Sequence, residues 1–362
     1  MSDRRLRMGS VAIADAMIDA GCRFFAGYPM TPFTEVLEHM ARRLPEVGGV
    51  CMNAESEIEA VGMAWGAAAT GTPAATGSTG QGLSLMQESL AEITLARLPL
   101  VVLNMARAQG DYWQATRGGG HGDYRHLVLA PGDVAEAVAV VHEAFTLSAT
   151  WRNPVLVLGD YYLAHTARAV PSNGRAPGAT PAAPPSWALT GASGGTGHAK
   201  LVSFLGSVKQ RDDVGYDLAA HYTACAEHTA TMLRAVPARA EVGSTEDAEV
   251  VVVAFGTPGG YVRAAVQALR AEGVAVGWVR PITLVPFPAA EVAAAARGAK
   301  AVAVYENNTG QMLDDVRLAV LGAAPVEFIG GLSLDSSGFG IAPDLDVAVL
   351  AARILDVVER HR

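Results

Sequence analysis

Cysteine is scarce in this chain: 3 residues among 362, Cys22, Cys51 and Cys225, with no CxxC pair. Scattered thiols make no disulfide framework, and they cannot ligate an iron–sulfur cluster by themselves. The expectation is buried, reduced thiols in a cytoplasmic protein. Long apolar runs are also lacking. No uninterrupted stretch approaches the roughly 20 residues of a membrane span, so no membrane partner is expected. Arg4, Arg5 and Arg7 precede an apolar stretch, but Asp15 and Asp19 break it, which makes a poor signal-peptide core. Basic residues are outnumbered: the net charge is −9 and the pI about 5.5, which argues against nucleic acid as a partner. Charged residues make up 17% and aromatics 6%, while half the chain is hydrophobic, as in an ordinary soluble globular protein.

What is abundant is alanine and glycine, the composition of helices packed closely on sheets. The length suffices for two or three domains with a large core. Residues 1–165 alternate helix-like and strand-like segments. Helices are expected at 11–20, 34–43, 57–70, 82–96 and 134–148, with strands at 23–26, 50–52, 73–76, 100–105 and 154–158. The runs Leu100–Met105 and Pro154–Leu158 are apolar without alternation, as in strands covered on both faces. Such alternation predicts an α/β fold with a parallel sheet. Residues 168–200 hold five Pro and six Gly, the chemistry of a linker. Residues 209–236 read as a helix stopped by Pro237, forming an arm or a connecting hairpin. From Glu249 the alternation resumes, with strands at 250–255, 274–279, 300–305 and 325–329 and helices at 260–271 and 311–321. The predicted organisation is a domain at 1–165, a linker and helical connection at 166–245, and a smaller α/β domain at 246–362.

Three motifs carry chemistry. Around Glu57, Ser56 and Glu59 have capping-box spacing, so Glu59 reads as a cap and Glu57 as the first helical residue. The residues that follow, Ala60 to Ala67, are small or apolar, so the helix is expected to be buried. A carboxylate at its start then needs a partner. The aminopyrimidine ring of thiamine diphosphate would supply one: a carboxylate at N1′ holds that nitrogen protonated and favours the imino tautomer that deprotonates the thiazolium C2. Taken alone, a Glu at a helix start is far more often structural, and the surrounding motifs change that weighing. In Tyr28-Pro29-Met30-Thr31-Pro32, Thr31 as N-cap with Pro32 in the first turn is a sufficient structural reading. The Thr31 hydroxyl, at the carboxyl end of a parallel strand, also points to the usual ligand crevice. The loop Gly77-Ser78-Thr79-Gly80-Gln81-Gly82 is neither a Walker loop nor the dinucleotide fingerprint, yet it can line a crevice at a helix start. Arg107, past a buried strand, is placed either to meet a substrate carboxylate or to sit on the surface. In Thr116–Tyr124, a glycine run carries His121 and Asp123, which fit proton or hydrogen-bonding work or a structural loop.

The stretches AGCRFFAGYPMTPFTEV, NAESEIEAVGMAWGAA, GSTGQGLSLMQE, QATRGGGHGDYRHLVLAPGDV, NPVLVLGD and GQMLDDVRLAV carry a resemblance. The chain resembles the alpha subunit of the 2-oxoacid:ferredoxin oxidoreductases, especially the 2-oxoisovalerate and 2-oxoglutarate types. The resemblance implies a pyrimidine-type thiamine diphosphate-binding domain followed by a transketolase C-terminal-like domain. It implies Glu57 at the aminopyrimidine, with Thr31 and Arg107 on the substrate carboxylate side. Tyr28, Pro29, Thr79, Gly80 and Gln81 are the further candidates for cofactor binding. A separate beta subunit would hold the diphosphate and Mg²⁺, iron–sulfur clusters would lie in partner subunits (gamma or ferredoxin-like), and CoA and ferredoxin would be co-substrate and acceptor. The implied reaction is oxidative decarboxylation of a 2-oxo acid to an acyl-CoA.

The sequence agrees that the diphosphate half is absent. Gly159-Asp160-Tyr161 stands where GDG would, and the Asn307-Asn308 pair is far too remote to complete that motif. One departure stands out. The loop that follows the arginine in relatives is shortened here, so Arg107 runs almost directly into Tyr112 and Trp113, which leaves either a more open pocket or one that these two rings fill. Substrate identity and CoA use then stay open. A non-oxidative decarboxylase or carboligase subunit is the alternative, and a non-catalytic scaffold a second.

Overall fold

The computed structural model describes residues 4–171, 183–191, 218–332 and 345–362. Its first sheet has seven strands. β2 (Phe24–Gly27), β3 (Val50–Asn53), β4 (Ala74–Ser78), β5 (Leu100–Ala106), β6 (Leu127–Leu129) and β7 (Pro154–Asp160) are parallel, and β12 (Thr283–Val285) joins from the far part of the chain. The order is β12-β6-β7-β5-β4-β2-β3. Every residue of β4, β5 and β7 is buried, as expected for strands covered on both faces. Helices α1 (Gly9–Asp19), α2 (Thr34–Arg43), α3 (Glu57–Ala69), α4 (Gly80–Leu95), α5 (Tyr112–Thr116), α6 (Val134–Trp151) and α7 (Tyr161–His165) surround it. β1 (Arg4–Met8) and β8 (Ala167–Pro171) form a separate antiparallel ribbon, so the start of the expected linker is strand.

The residues expected as an arm fold as α8 (Leu218–Ala235), and residues 209–217 lie outside the described residues. α8 is not free-standing. Met232 and Val236 join the core formed by α1, α2 and α6, and the Cys225 thiol lies 3.6 Å from the Leu95 carbonyl oxygen.

The second sheet has the order β14-β13-β10-β11-β9. It comprises β9 (Ala240–Gly243), β10 (Val250–Val253), β11 (Val276–Pro281), β13 (Ala301–Val304) and β14 (Val326–Phe328), all parallel except β9. α9 (Gly256–Ala271), α10 (Ala289–Ala296), α11 (Leu313–Val320) and α12 (Val347–Arg360) pack around it. The two sheets share strand pairing. β12 follows β11 directly and pairs antiparallel with β6 through Thr283 and Val285, so the later part of the chain completes the first sheet. Arg280 on β11 adds a polar clamp, reaching Glu136 on α6 and Glu241 on β9 at 2.9 Å each. None of the described helices is long and apolar enough to cross a membrane.

Candidate functional site

The carboxyl ends of β2, β4 and β5 meet at one edge of the first sheet, where open parallel sheets place ligands. The turn after β2 is built around Phe33. Its ring fills space above Gly27 and Gly77, where an added Cβ would lie 2.9 and 2.5 Å from it. This anchoring delays the helix. α2 starts at Thr34 with Phe33 as N-cap, so Thr31 is not the cap and Pro32 is not in the first turn. Thr31 instead stands exposed in the turn, beside half-exposed Tyr28 and exposed Pro29.

Glu57 opens α3, behind an N-cap Ser56 whose hydroxyl accepts from the Ile58 N–H at 3.2 Å. Ser56 Oγ also donates to the Glu59 carboxylate, so Glu59 supports the helix start from solvent, although the Ser56 hydroxyl takes the N–H of Ile58 rather than that of Glu59 expected for a capping box. Glu57 turns inward and is 2% exposed. Ser78, the last residue of β4, donates to its Oε1 at 2.7 Å. Among the described residues this is its one hydrogen bond. Gly82, in the first turn of α4, makes room for the pair. A Cβ there would stand 2.4 Å from Glu57 Oε1 and 2.0 Å from Ser78 Oγ. Thr79, the N-cap residue of α4, is 1% exposed, and its Oγ1 has no hydrogen-bond partner among the described residues. Gly80 follows, half-buried, and Gln81 is exposed.

On the other side of the same helix start sits Asp111, against Gly80. It accepts from Asn104 Nδ2 at 2.8 Å and Gln114 Nε2 at 3.0 Å. Burial pushes its carboxyl above the usual range. Arg107 stands just past β5 and donates from Nε to the Thr31 carbonyl oxygen at 3.2 Å, so the two residues expected on the substrate side are brought together.

Tyr112 and Trp113 do not fill a pocket there. Tyr112 is 0% exposed, packs on Phe255 at 5.3 Å between ring centroids, and donates its hydroxyl to Asp315 Oδ2 at 2.7 Å. Trp113 donates its backbone N–H and its indole N–H to Gln311, at 2.8 and 3.1 Å. The loop after β5 therefore ties the two sheets together. Gln109 belongs to the same junction, bonding Asn307 and Asn308 and donating to the Phe255 carbonyl oxygen at 3.0 Å. The asparagine pair thus serves the junction, as does Asp160, buried and bonded by the Thr257 hydroxyl.

His121 and Asp123 are not brought to Glu57. His121 pairs with Glu92 at 3.2 Å. Glu92 lies about 18 Å along α4 from Gly80 at helical rise, and Asp123 is exposed. The glycine run wraps the Tyr124 hydroxyl, which accepts from Gly119 and Gly120 N–H at 3.0 and 2.8 Å. Sequence reasoning missed Ser78, Asn104 and Asp111. The glycines at 80 and 82 were the available signal, since each marks the seat of a carboxylate.

Residues 15–188 match the family described as Pyruvate flavodoxin/ferredoxin oxidoreductase, thiamine diP-bdg, and residues 248–336 match Pyruvate:ferredoxin oxidoreductase core domain II. Ketoisovalerate oxidoreductase subunit VorB of Methanothermobacter marburgensis is 36% identical over 89% of this chain and 91% of its own length. 2-Oxoglutarate synthase subunit KorA of Methanothermobacter thermautotrophicus is 34% identical, covering 91% of this chain and 94% of its own. Among solved structures, the 2-oxoglutarate:ferredoxin oxidoreductase from Magnetococcus marinus, with 2-oxoglutarate, coenzyme A and succinyl-CoA bound, aligns at a TM-score of 0.78 and 26% identity. The alignment covers 98% of this chain and 65% of that one, so the chain spans about two thirds of its length. A split-gene transketolase, at a TM-score of 0.59 and 16% identity, shares the fold alone. The chain belongs to the thiamine diphosphate-dependent 2-oxoacid:ferredoxin oxidoreductase family.

Proposed function

We propose that this chain is the alpha-type subunit of a 2-oxoacid:ferredoxin oxidoreductase, supplying the aminopyrimidine half of an active site completed by a partner subunit. The observation that carries the reading is Glu57, a buried carboxylate with one hydrogen bond, beside a buried Thr79 hydroxyl with none among the described residues. A desolvated carboxylate so sparsely paired is costly unless a ligand donates to it. The residues present fit the aminopyrimidine end of thiamine diphosphate: Glu57 would accept from the ring nitrogen, and Thr79 would bond a neighbouring ring substituent. Gly82 keeps the space in which Glu57 and Ser78 meet. When bound, the cofactor supplies a nucleophilic carbon and an electron sink for decarboxylation.

The chain's own residues do the rest. Glu57 holds a proton at the ring nitrogen, and Ser78 keeps the carboxylate oriented. Arg107, braced on the Thr31 carbonyl oxygen, binds the substrate carboxylate, and the Thr31 hydroxyl donates to it. Tyr28, Pro29, Gly80 and Gln81 border this face. The diphosphate, Mg²⁺ and iron–sulfur clusters belong to partner subunits, and CoA and ferredoxin serve as acyl and electron acceptors. Burial pushes the Cys22 thiol up to about 12 and the Cys51 thiol up to about 11, so both stay protonated at neutral pH and are poor metal ligands.

The test is co-expression with a subunit carrying the diphosphate motif, then a panel of 2-oxo acids with thiamine diphosphate, Mg²⁺, CoA and a viologen dye. CoA-dependent dye reduction is the expected result. CO₂ release without dye reduction would move the chain to non-oxidative chemistry.

A further inference from the structure

Two carboxylates flank the start of α4, and neighbouring strand ends hold them in the same way. Ser78 on β4 bonds Glu57. Asn104, the register partner of Ser78 on β5, donates to Asp111 at 2.8 Å. Each carboxylate faces a glycine in the first turn of α4. A Cβ at Gly82 would meet Glu57, and a Cβ at Gly80 would stand 2.4 Å from Asp111 Oδ1. Glu57 has its duty in the cofactor contact proposed above, whereas Asp111 has none there.

Position 111 is the N-cap of α5, where an aspartate usually accepts an N–H of its own helix. Asp111 makes no such bond. Its side chain turns instead to α4, which has no acidic residue in its first turn and whose own N-cap, Thr79, makes no side-chain capping bond. Negative charge at a helix start is stabilising, so Asp111 supplies from outside what α4 lacks. Thr79 is released from capping, and its buried hydroxyl has no partner among the described residues. Asn104 bears a cost in the same arrangement. Its Nδ2 is spent on Asp111, while its Oδ1 is buried with no partner among the described residues.

The second sheet sets where Asp111 stands. Gln109 accepts from Asn307 and Asn308, and Tyr112 donates to Asp315. Gln311 accepts from the Trp113 N–H at 2.8 Å and donates to the Gly110 carbonyl oxygen at 2.9 Å. On the other side, Gln114 Nε2 donates both to Asp111 Oδ1 at 3.0 Å and to the Gly80 carbonyl oxygen at 2.9 Å. A braced segment thus runs from the entry of α11 to the first turn of α4.

We propose that Asp111 is a positioning residue for the cofactor half of the site: as the external counter-charge of α4 it fixes where that helix begins, frees the Thr79 hydroxyl for the aminopyrimidine, and ties both to the second sheet. The inference rests on the cofactor reading above. Asp111 touches no reacting atom in this scheme. It acts through Gly80 and Thr79.

The experiment compares wild type, Asp111→Asn, Asn104→Asp and the double variant carrying both, each as the full chain assembled with the diphosphate-carrying subunit. Thiamine diphosphate affinity is read by calorimetry at fixed Mg²⁺, apart from turnover, and amide hydrogen exchange at residues 81–84 is followed in the free chain. Asp111→Asn turns a donor toward those of Asn104 and Gln114. It is expected to lose roughly tenfold or more in thiamine diphosphate affinity, the scale of a charge-assisted hydrogen bond, with faster exchange at 81–84. Asn104→Asp sets two carboxylates face to face and should lose as much. The double variant restores donor opposite acceptor and should return to within about threefold of wild type, a coupling that unrelated structural losses do not show. Gln311→Ala, at the second sheet, should speed exchange at the same amides.

Wild-type affinity in Asp111→Asn would overturn the proposal, as would losses that simply add in the double variant. Unchanged exchange in Gln311→Ala would overturn the tie to the second sheet. Failure of the wild-type assembly to bind thiamine diphosphate would overturn the cofactor reading itself. Should Asp111→Asn fail to fold, the double variant decides: affinity near wild type supports the pairing, and a tenfold loss overturns it.

Discussion

Ser78 and Glu57, 21 positions apart, meet through a 2.7 Å hydrogen bond that is the carboxylate's one such contact among the described residues. The strand end and the helix start thus present a buried carboxylate whose second oxygen has no hydrogen bond among the described residues. Glu57→Gln keeps the shape and the bond to Ser78 while removing the charge. Turnover of the assembled enzyme is expected to fall by a hundredfold or more, on the order of a lost acid–base group. The melting temperature of the free chain should hold or rise, because a sparsely paired buried charge is gone. Wild-type-like turnover would sink the role.

Arg107→Ala removes a guanidinium held by the Thr31 carbonyl oxygen at 3.2 Å. The expected result is a KM for the 2-oxo acid raised at least tenfold, about the 1.5–3 kcal/mol of a charge-assisted hydrogen bond. Thiamine diphosphate affinity should stay unchanged in the same preparations. Equal loss of both would point to a structural arginine.

Two glycines give opposite expectations. Gly82→Ala drives a methyl group to 2.4 Å from Glu57 Oε1, so overpacking of about 1–3 kcal/mol should outweigh the helical preference of alanine. Gly66→Ala meets nothing within 4 Å and should stabilise the free chain by about 0.5–1 kcal/mol. Denaturant titration of both variants checks the pair, and a stabilised Gly82→Ala would contradict the packing described for the site.

Arg280 is buried between Glu136 and Glu241. Arg280→Met leaves those carboxylates without their cation and should cost about 2–4 kcal/mol. The value is kept at the low end for a buried pair because Glu241 is partly exposed. A loss below about half a kcal/mol in urea unfolding would reduce the clamp to a surface pair.

His126 is buried against the Tyr124 ring at 4.9 Å, and its Nε2 has no partner among the described residues. Burial pushes its pKa down from 6.5 to about 4, so the folded protein holds it neutral where the unfolded chain is protonated. Its stabilising contribution is complete above pH 6.5 and is lost as pH falls toward about 4. The size is at most about 3 kcal/mol from the linkage relation. His126→Leu should flatten the unfolding free energy across that window relative to wild type.

The centre of the first sheet was legible because β5 and β7 are covered on both faces and read as apolar runs without alternation. The helix Thr34–Arg43 is found where its spacing put it. β6 and β12, of three residues each, carry too little pattern to read, and their pairing joins residues far apart in the chain. α12 was missed although its Leu350, Ile354, Val357 and Val358 form a clear buried stripe. At the site, Glu57 was visible because helix capping is local. Ser78 and Asp111 were not, because β4 brings Ser78 to Glu57, and the loop after β5 brings Asp111 to Gly80, only in the folded sheet. The anchoring of Tyr112 was not legible for the same reason: its hydroxyl acceptor, Asp315, lies 203 positions away.

The pairing of β12 with β6 bears on how the chain matures. During synthesis the edge of the first sheet, Leu127–Leu129, stays bare until residue 285 has emerged, and an uncovered apolar edge is a template for wrong pairing. A fragment cut in the linker would keep that edge permanently exposed. The two sheets are thus a poor choice for expression as separate pieces, and a nascent first half is the stage at which a chaperone would be needed most.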